Sequence, residues 1–543
     1  MKRIYLIIIS LAMVFSLANG QTKTVNVEID FTSPEYVSKY RAGLTHTQRS
    51  IDSWGNPAAI SRAKLLLDSV IHFQNQHLMG WGALNPWPDS TVVDSREWNW
   101  ESLDNRIKLI RETNGEAVIT LCACPSWMYS PSKNGETDWN AIEEAPTPDH
   151  YDDFAHLCAE TARRYPDVRY FQVWNEFKGF YDGSKNRWGY ETFTDMYNMV
   201  YDSLKSVNPN LFIGGPYMPM DSWSTSSFSH PSNLRGVYGV VDQRALDGIK
   251  YWLKNKKGGQ FITVDGGNDN KDRVWKTDSF KASQKFVDII NWIRQQPGGE
   301  DLPVWWSEWY AWPEDEKLEN TPEYLNAIMA AGLIKSITAG YSNIMIWQPE
   351  GDSQGFSYPL GIWTDTKTSG GGEPTLYYET QKGLHDFFSE GTEIYEATTS
   401  LADVISVMAS DTAILLVNHL NESVQVNIKG SREELTLAPN EVRFLIDYDL
   451  VTSVNRLRFP FDLKVYPNPF FEQVKIALRN TGGNQLNVEL LTINGECLIS
   501  NSKLMRSGEE VFSVLNTSDL PGGSYLLKVS VDNAIQSTVL IKR

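Results

Sequence analysis

The chain has 543 residues, with 49 Lys+Arg against 67 Asp+Glu and a formal net charge of -18. That length exceeds what one hydrophobic core usually supports, so two or three domains are expected, and 41% hydrophobic with 21% charged residues excludes disorder throughout. The acidic balance argues against nucleic acid or an anionic membrane surface as the main partner. The 19 Trp and 24 Tyr are enough both to fill a large core and to offer flat apolar faces to a ligand such as a sugar ring.

Residues 1–20 read as a secretory signal peptide. Lys2 and Arg3 form a basic start, Ile4 to Leu17 is almost wholly apolar, and Ala18-Asn19-Gly20 is a small-residue cleavage site that leaves Gln21 first in the mature chain. The apolar run is short for a membrane span, no Cys follows it for a lipid anchor, and no later run approaches roughly 18 apolar residues, so no span is expected in the mature protein. The cysteines, Cys122, Cys124, Cys158 and Cys497, are too few for a disulfide scaffold. Cys122 and Cys124 sit two apart on an expected strand and read as small core residues, with no His at zinc-finger spacing.

Residues 21–36 alternate and supply one strand of a β-domain. From 37 to 387, short apolar strands alternate with amphipathic helices. The strands are Arg41–Thr47, His77–Leu84, Ala117–Ala123, Tyr170–Glu176, Phe212–Tyr217, Phe261–Asp265, Val304–Trp309 and Ile344–Gln348. Helical spacing marks Ala58–Phe73, Ser102–Glu112, Tyr151–Arg164, Glu191–Val207, Ser279–Gln295 and Glu323–Thr338. Such a strand–helix series predicts a (β/α)8 barrel, and the Gly-rich phosphate turn of an open doubly wound sheet is missing. Residues 388–455 turn to short alternating strands, and with the N-terminal strand they are expected to form a β-sandwich packed beside the barrel. A linker and a small β-unit occupy 456–543.

In a barrel of this kind the C-terminal strand ends form the rim of the site. Strand four ends in Trp174-Asn175-Glu176 and strand seven in Trp306-Ser307-Glu308-Trp309. Strands four and seven face each other across the mouth, so Glu176 and Glu308 can converge on one ligand. One protonated and one ionised carboxyl group at short range is the apparatus of retaining glycoside hydrolysis. His46 and Gln48 at the end of strand one, Trp81 and Trp87 after strand two, Trp127 after strand three, Tyr217 at the end of strand five, and Trp347 with Gln348 at the end of strand eight are candidates for lining a sugar cleft. Rim packing is the rival role for each aromatic. Asp265 ends strand six as a third carboxylate, able to raise a neighbour's pKa or to bind a cationic or hydroxyl group. The long stretch Ser222–Lys257 could wall one end, and its Arg235 and Arg244 admit an anionic sugar. No cofactor or metal motif is visible.

With Trp174-Asn175-Glu176 on strand four and Glu308 on strand seven, residues 37–387 resemble clan A of the glycoside hydrolases, and the added β-domain is most like family 39. The resemblance implies a secreted enzyme that cleaves carbohydrate without a cofactor. Glu176 would be its acid/base, Glu308 its nucleophile, Asn175 the residue holding the hydroxyl beside the anomeric carbon, and Trp347 the floor under the bound ring. Many clan members place a Tyr or His near the end of strand six against the nucleophile, where this chain has Asp265. The rival reading, a surface carbohydrate-binding barrel without turnover, sits poorly with the retention of both Glu residues and Asn175. The C-terminal unit, with Tyr466-Pro467-Asn468-Pro469, Asn494-Gly495 and Leu520-Pro521-Gly522-Gly523-Ser524-Tyr525, resembles the sorting domain of the type IX secretion system of Bacteroidetes. This implies a secretion machinery as partner and export through the periplasm to the cell surface or beyond.

Overall fold

The computed structural model describes residues 23–45, 55–80, 83–87, 97–130, 141–225, 230–272, 274, 278–313, 321–350, 361–431, 434–446, 462–466, 470–479, 486–492, 497–501, 505–507, 510–531 and 534–542. The expected signal peptide lies outside them, as do His46, Gln48 and Trp81. The chain divides into two compact units, Met1–Val451 and Thr452–Arg543.

In the first unit eight parallel strands close into a barrel in chain order. They are Ala42–Thr45, Phe73–His77, Glu116–Leu121, Tyr170–Val173, Phe212–Pro219, Phe261–Gly267, Val304–Tyr310 and Asn343–Ile346, called here barrel strands one to eight. Helices cover the outside, so these strands are buried on both faces. The helix Tyr151–Arg164 buries Phe154, Leu157, Cys158 and Ala162, with Asp152 and Asp153 in its first turn and Arg163 and Arg164 in its last, the order that complements its dipole. The helix Pro322–Ala339 starts with Pro, is capped by Thr321 and stops at Gly340, whose φ of 93° suits glycine. It is buried nearly all round because the barrel lies on one side and strands of the β-domain on the other.

Strand alternation stacks the barrel interior in layers. At the base Phe73, Val118, Tyr170, Phe261, Trp305 and Met345 form an apolar plug, with Phe261 and Trp305 stacked at 3.9 Å. Two residues further along each strand comes a polar layer. Asn75 Nδ2 donates to Thr45 Oγ1 (3.2 Å), Thr120 Oγ1 to Asn75 Oδ1 (2.8 Å) and Gln172 Nε2 to Thr120 Oγ1 (3.1 Å). Ser307 Oγ donates to Gln172 Oε1, and Thr45 Oγ1 donates to the Ser307 carbonyl (2.7 Å), which closes the ring. Gln172→Leu should therefore leave the buried Ser307 hydroxyl without its acceptor and take a donor from Thr120, at a cost of roughly 2–4 kcal/mol, read as a lower thermal midpoint of the barrel unit.

This layer corrects one strand. The second barrel strand is Phe73–His77, not His77–Leu84, and the preceding helix stops at Val70. Phe73-Gln74-Asn75-Gln76-His77 looks polar, yet every residue is buried, because Asn75 belongs to the ring and Gln74 Nε2 donates to Thr113 Oγ1 at 2.9 Å. The stretch after strand five holds a three-stranded sheet (Ser222–Trp223, Pro231–Gly236, Gly239–Asp242) and a helix, Gln243–Asn255, that the spacing rules did not mark.

The β-domain is a seven-stranded sheet built from both ends of the unit. Lys23–Val37 pairs parallel with Val424–Ile428 and antiparallel with Glu393–Thr399. Val25, Val27, Ile405, Ile414, Leu416, Val424 and Leu437 give this domain an apolar cluster of its own.

The second unit consists of two four-stranded sheets. Val474, Ile476 and Leu515 from one meet Val488, Leu490, Leu527 and Leu540 from the other, with Phe470 packed among them, in a separate core. Among the described residues no helix is long and apolar enough to cross a membrane.

Candidate active site

Above the polar ring, the next layer carries the ionisable groups. Strand four ends at Val173, and the chain then turns sharply through Trp174, Glu176 and Phe177, whose φ angles are 69°, 49° and 56°. Ala123 (59°) and Tyr217 (58°), after strand three and within strand five, share this left-handed conformation. Side chains other than glycine resist it by about 1–3 kcal/mol each, so packing must hold it. Trp174 is buried with its Nε1 donating to the Lys178 carbonyl at 2.7 Å, and Phe177 stacks on Phe193 at 4.0 Å. Strain of this kind gathers where a barrel must aim side chains into its mouth.

Two register shifts do the same for strands five to seven. Strand six pairs Val264 with Trp306 but Asp265 with Glu308, so Ser307 is an extra residue on strand seven. Ser307 thereby reaches the polar ring while its neighbour Glu308 also faces the interior. On strand five the extra residue is Tyr217, between Pro216 and Met218. Its hydroxyl donates to Glu308 Oε1 at 3.0 Å.

The result is a cluster of three carboxyl groups. One oxygen each of Glu176, Asp265 and Glu308 lies within 4.8 Å of the others. Glu308 is 5% exposed and Asp265 fully buried, whereas the side chain of Glu176 keeps 21% of its surface. Lys178 Nζ is 2.8 Å from Glu176 Oε2 and 2.9 Å from Glu143 Oε1. Asn175 is 7% exposed, and its Oδ1 is buried without a hydrogen-bond partner, as is Gln348 Nε2. Unpaired buried polar atoms are groups that a ligand can satisfy.

Burial, then the charge of Glu176, pushes Glu308 up to about 8 against the opposing pull of Lys178 and the Tyr217 hydroxyl. Asp265 is raised well above the carboxylate range, by burial and then by Glu176. Burial works on Glu176 in the same sense, but the neighbouring Asp265 carboxyl group and the charge of Lys178 outweigh it and leave Glu176 below its ordinary value. Lys178 stays protonated: burial opposes its charge, and Glu176 and Glu143 more than offset that. His77, at the end of strand two, is pushed down to about 3 by burial and by Lys178, and so is neutral.

Of the residues expected to form the site, Glu176, Glu308, Asp265 and Tyr217 come together. Trp127 is buried in an aromatic cluster, edge-on to Trp87 at 5.2 Å and to His150 at 5.4 Å. Trp347 stands edge-on to Tyr310 at 6.2 Å. Arg244 is held by Asp242 at 2.6 Å, and Arg235 donates to the Ser232 carbonyl. On strand six that position holds Asp265, and the hydroxyl that bonds Glu308 comes from Tyr217 on strand five. Sequence reasoning missed Lys178 and Glu143. The signal for Lys178 was its place two residues after Glu176, within the same turn.

Residues 464–543 match the family model described as a secretion system C-terminal sorting domain. The C-terminal unit is a sorting domain of that family. No curated protein matches the chain. Among solved structures, SrfJ from Salmonella typhimurium is 12% identical with a TM-score of 0.51, over 77% of this chain and 91% of that one. An endo-β1,6-glucanase is 12% identical with a TM-score of 0.50, over 76% and 91%. A GH39 β-xylosidase from Caulobacter crescentus is 12% identical with a TM-score of 0.48, over 91% and 100%. At these identities the likeness is one of fold.

Proposed function

We propose that the barrel is a retaining glycoside hydrolase, delivered outside the cell by its sorting domain, with Glu308 as nucleophile and Glu176 as acid/base. The observation that carries this reading is the pair of carboxyl groups on opposed strands, with oxygens within 4.8 Å. Retaining enzymes hold their two groups about 5–5.5 Å apart, whereas inverting ones leave about 6.5–9.5 Å for a water. The strained turn at Trp174–Phe177 and the bulge at Ser307 both serve to bring these two groups inward. Fold likeness to an endo-β1,6-glucanase is compatible with an oligosaccharide or polysaccharide substrate.

In the first step the Glu308 carboxylate attacks the anomeric carbon while a proton passes from Glu176 to the departing oxygen. Water then attacks the glycosyl ester, with Glu176 now taking its proton. Asn175, whose Oδ1 is unpaired, would accept from the hydroxyl beside the anomeric carbon. Release of reducing sugar from a panel of neutral and charged glycans tests the reading. It should occur on at least one member and vanish in both Glu176→Gln and Glu308→Gln. Binding without release on every member would favour a carbohydrate-binding barrel instead.

Tyr217→Phe removes the hydroxyl that favours ionised Glu308. Its expected effect is a further rise in the Glu308 pKa and a loss of about 10- to 100-fold in kcat/KM. The acidic limb of the pH profile should move to higher pH.

The C-terminal unit has a core of its own, so a chain ending at Val451 should fold and hydrolyse at the full rate in vitro. The same truncated chain should stay in the periplasm of a host that exports the full protein, as cell fractionation would show.

A further inference from the structure

Asp265 occupies the driest point of the site. Neither of its oxygens receives a hydrogen bond from an amide, hydroxyl or basic group among the described residues. One of its oxygens lies within 4.8 Å of an oxygen of Glu176 and of one of Glu308. Two carboxyl groups this close and this far out of water do not both ionise, so the pair keeps a proton. The surroundings decide where that proton rests. Glu176 is part-exposed and has Lys178 Nζ at 2.8 Å, which favours its ionised form. Asp265 is fully buried and faces the further negative charges of Glu308 and Asp221. The cations that act on it are already engaged: Lys271 pairs with Asp221 at 3.0 Å, and Lys285 donates to the Asp269 carbonyl at 3.1 Å. Tyr217 and Tyr310, both kept protonated by burial, complete the surroundings.

We propose that Asp265 and Glu176 form one acid–base unit holding a single proton, Glu176 facing the leaving oxygen and Asp265 storing the proton behind it. Asp265 is then a positioning residue for the hydrolysis proposed above, on which this inference rests. The proton balance closes. In the first displacement a bond forms between Glu308 and the anomeric carbon, and the bond to the leaving oxygen breaks with its electron pair staying on that oxygen. That oxygen takes the single proton of the pair, which passes from Asp265 to Glu176 and from Glu176 to the oxygen. The pair gains the negative charge that Glu308 loses on forming the ester, so the total beside Lys178 is unchanged. In the second displacement water gives one proton to the pair, its oxygen bonds to the anomeric carbon, and Glu308 leaves as a carboxylate. A lone Glu176 beside Lys178 would hold its proton poorly at neutral pH, and the pair supplies what that arrangement lacks.

Asp265→Asn tests this, because it keeps the shape and an N–H toward Glu176 but removes the stored proton. For glycosides with poor leaving groups, the basic limb of kcat/KM should fall by about one pH unit or more while the acidic limb stays in place. Dinitrophenyl glycosides, which need no acid, should be little affected. An unmoved basic limb, or an equal loss for good and poor leaving groups, would overturn the proposal. A second measurement needs no turnover. In Glu308→Gln protein at neutral pH, infrared spectroscopy should show the C=O stretch of a protonated carboxyl group, and adding Asp265→Asn should abolish it. Persistence of the band would place the proton elsewhere and overturn the proposal. If Asp265→Asn does not fold, Glu176→Gln should shift the band, since the acceptor becomes a neutral amide, and an unshifted band counts against the pairing. A band that behaves as stated in a protein that hydrolyses no glycoside would sustain the shared proton and refute the glycosidase reading.

Discussion

Glu308→Gln is expected to lower turnover by roughly 10^4-fold or more while leaving substrate binding nearly intact, because the carboxylate proposed to form the covalent bond is gone and the shape of the site is not. The same variant should be more stable than the parent at alkaline pH. Glu308 is raised to about 8 in the folded protein, against an ordinary value of 4.5. Its contribution to stability is therefore fully present below the ordinary value and is lost as pH rises toward 8, at up to about 1.4 kcal/mol per pH unit in that window. Gln does not titrate and escapes the loss. Differential scanning calorimetry at pH 5 and pH 8 should show the variant gaining on the parent at the higher pH. Equal midpoints at both would mean that Glu308 is not the strained carboxyl group described above.

Glu176→Gln should have the second largest effect, and its size should depend on the leaving group. With poor leaving groups the loss is that of a general acid, about 10^2–10^4-fold. With dinitrophenolate the first displacement needs no proton, so only the second step, where Glu176 takes a proton from water, is slowed. The kinetic sign is a burst of phenolate followed by a slow steady state. Uniform loss across leaving groups would assign the acid to another residue.

The barrel was legible because strand and helix periods differ, and the helices Tyr151–Arg164 and Glu191–Val207 stand almost where their spacing puts them. What failed was an assumption about polarity. A strand reading Phe-Gln-Asn-Gln-His does not look like core, yet a hydrogen-bonded ring lets a barrel bury it, and the ring partners lie on strands far apart in sequence. Glu176 and Glu308 were found from their places at strand ends. Tyr217 was expected to touch substrate, and its contact with Glu308 depends on a one-residue bulge that no local pattern announces. Lys178 was overlooked for a related reason: a lysine after a strand looks like solvent-facing charge, and only the turn at Trp174–Phe177 folds it back onto Glu176.

The most direct test of the account is the anomeric form of the first product, followed by proton NMR before mutarotation. With oxygens of Glu176 and Glu308 within 4.8 Å, the two groups are closer than the roughly 6.5–9.5 Å of inverting enzymes, and the product should appear with the configuration of the substrate. First appearance of the opposite anomer would contradict the double displacement and the roles assigned to both residues.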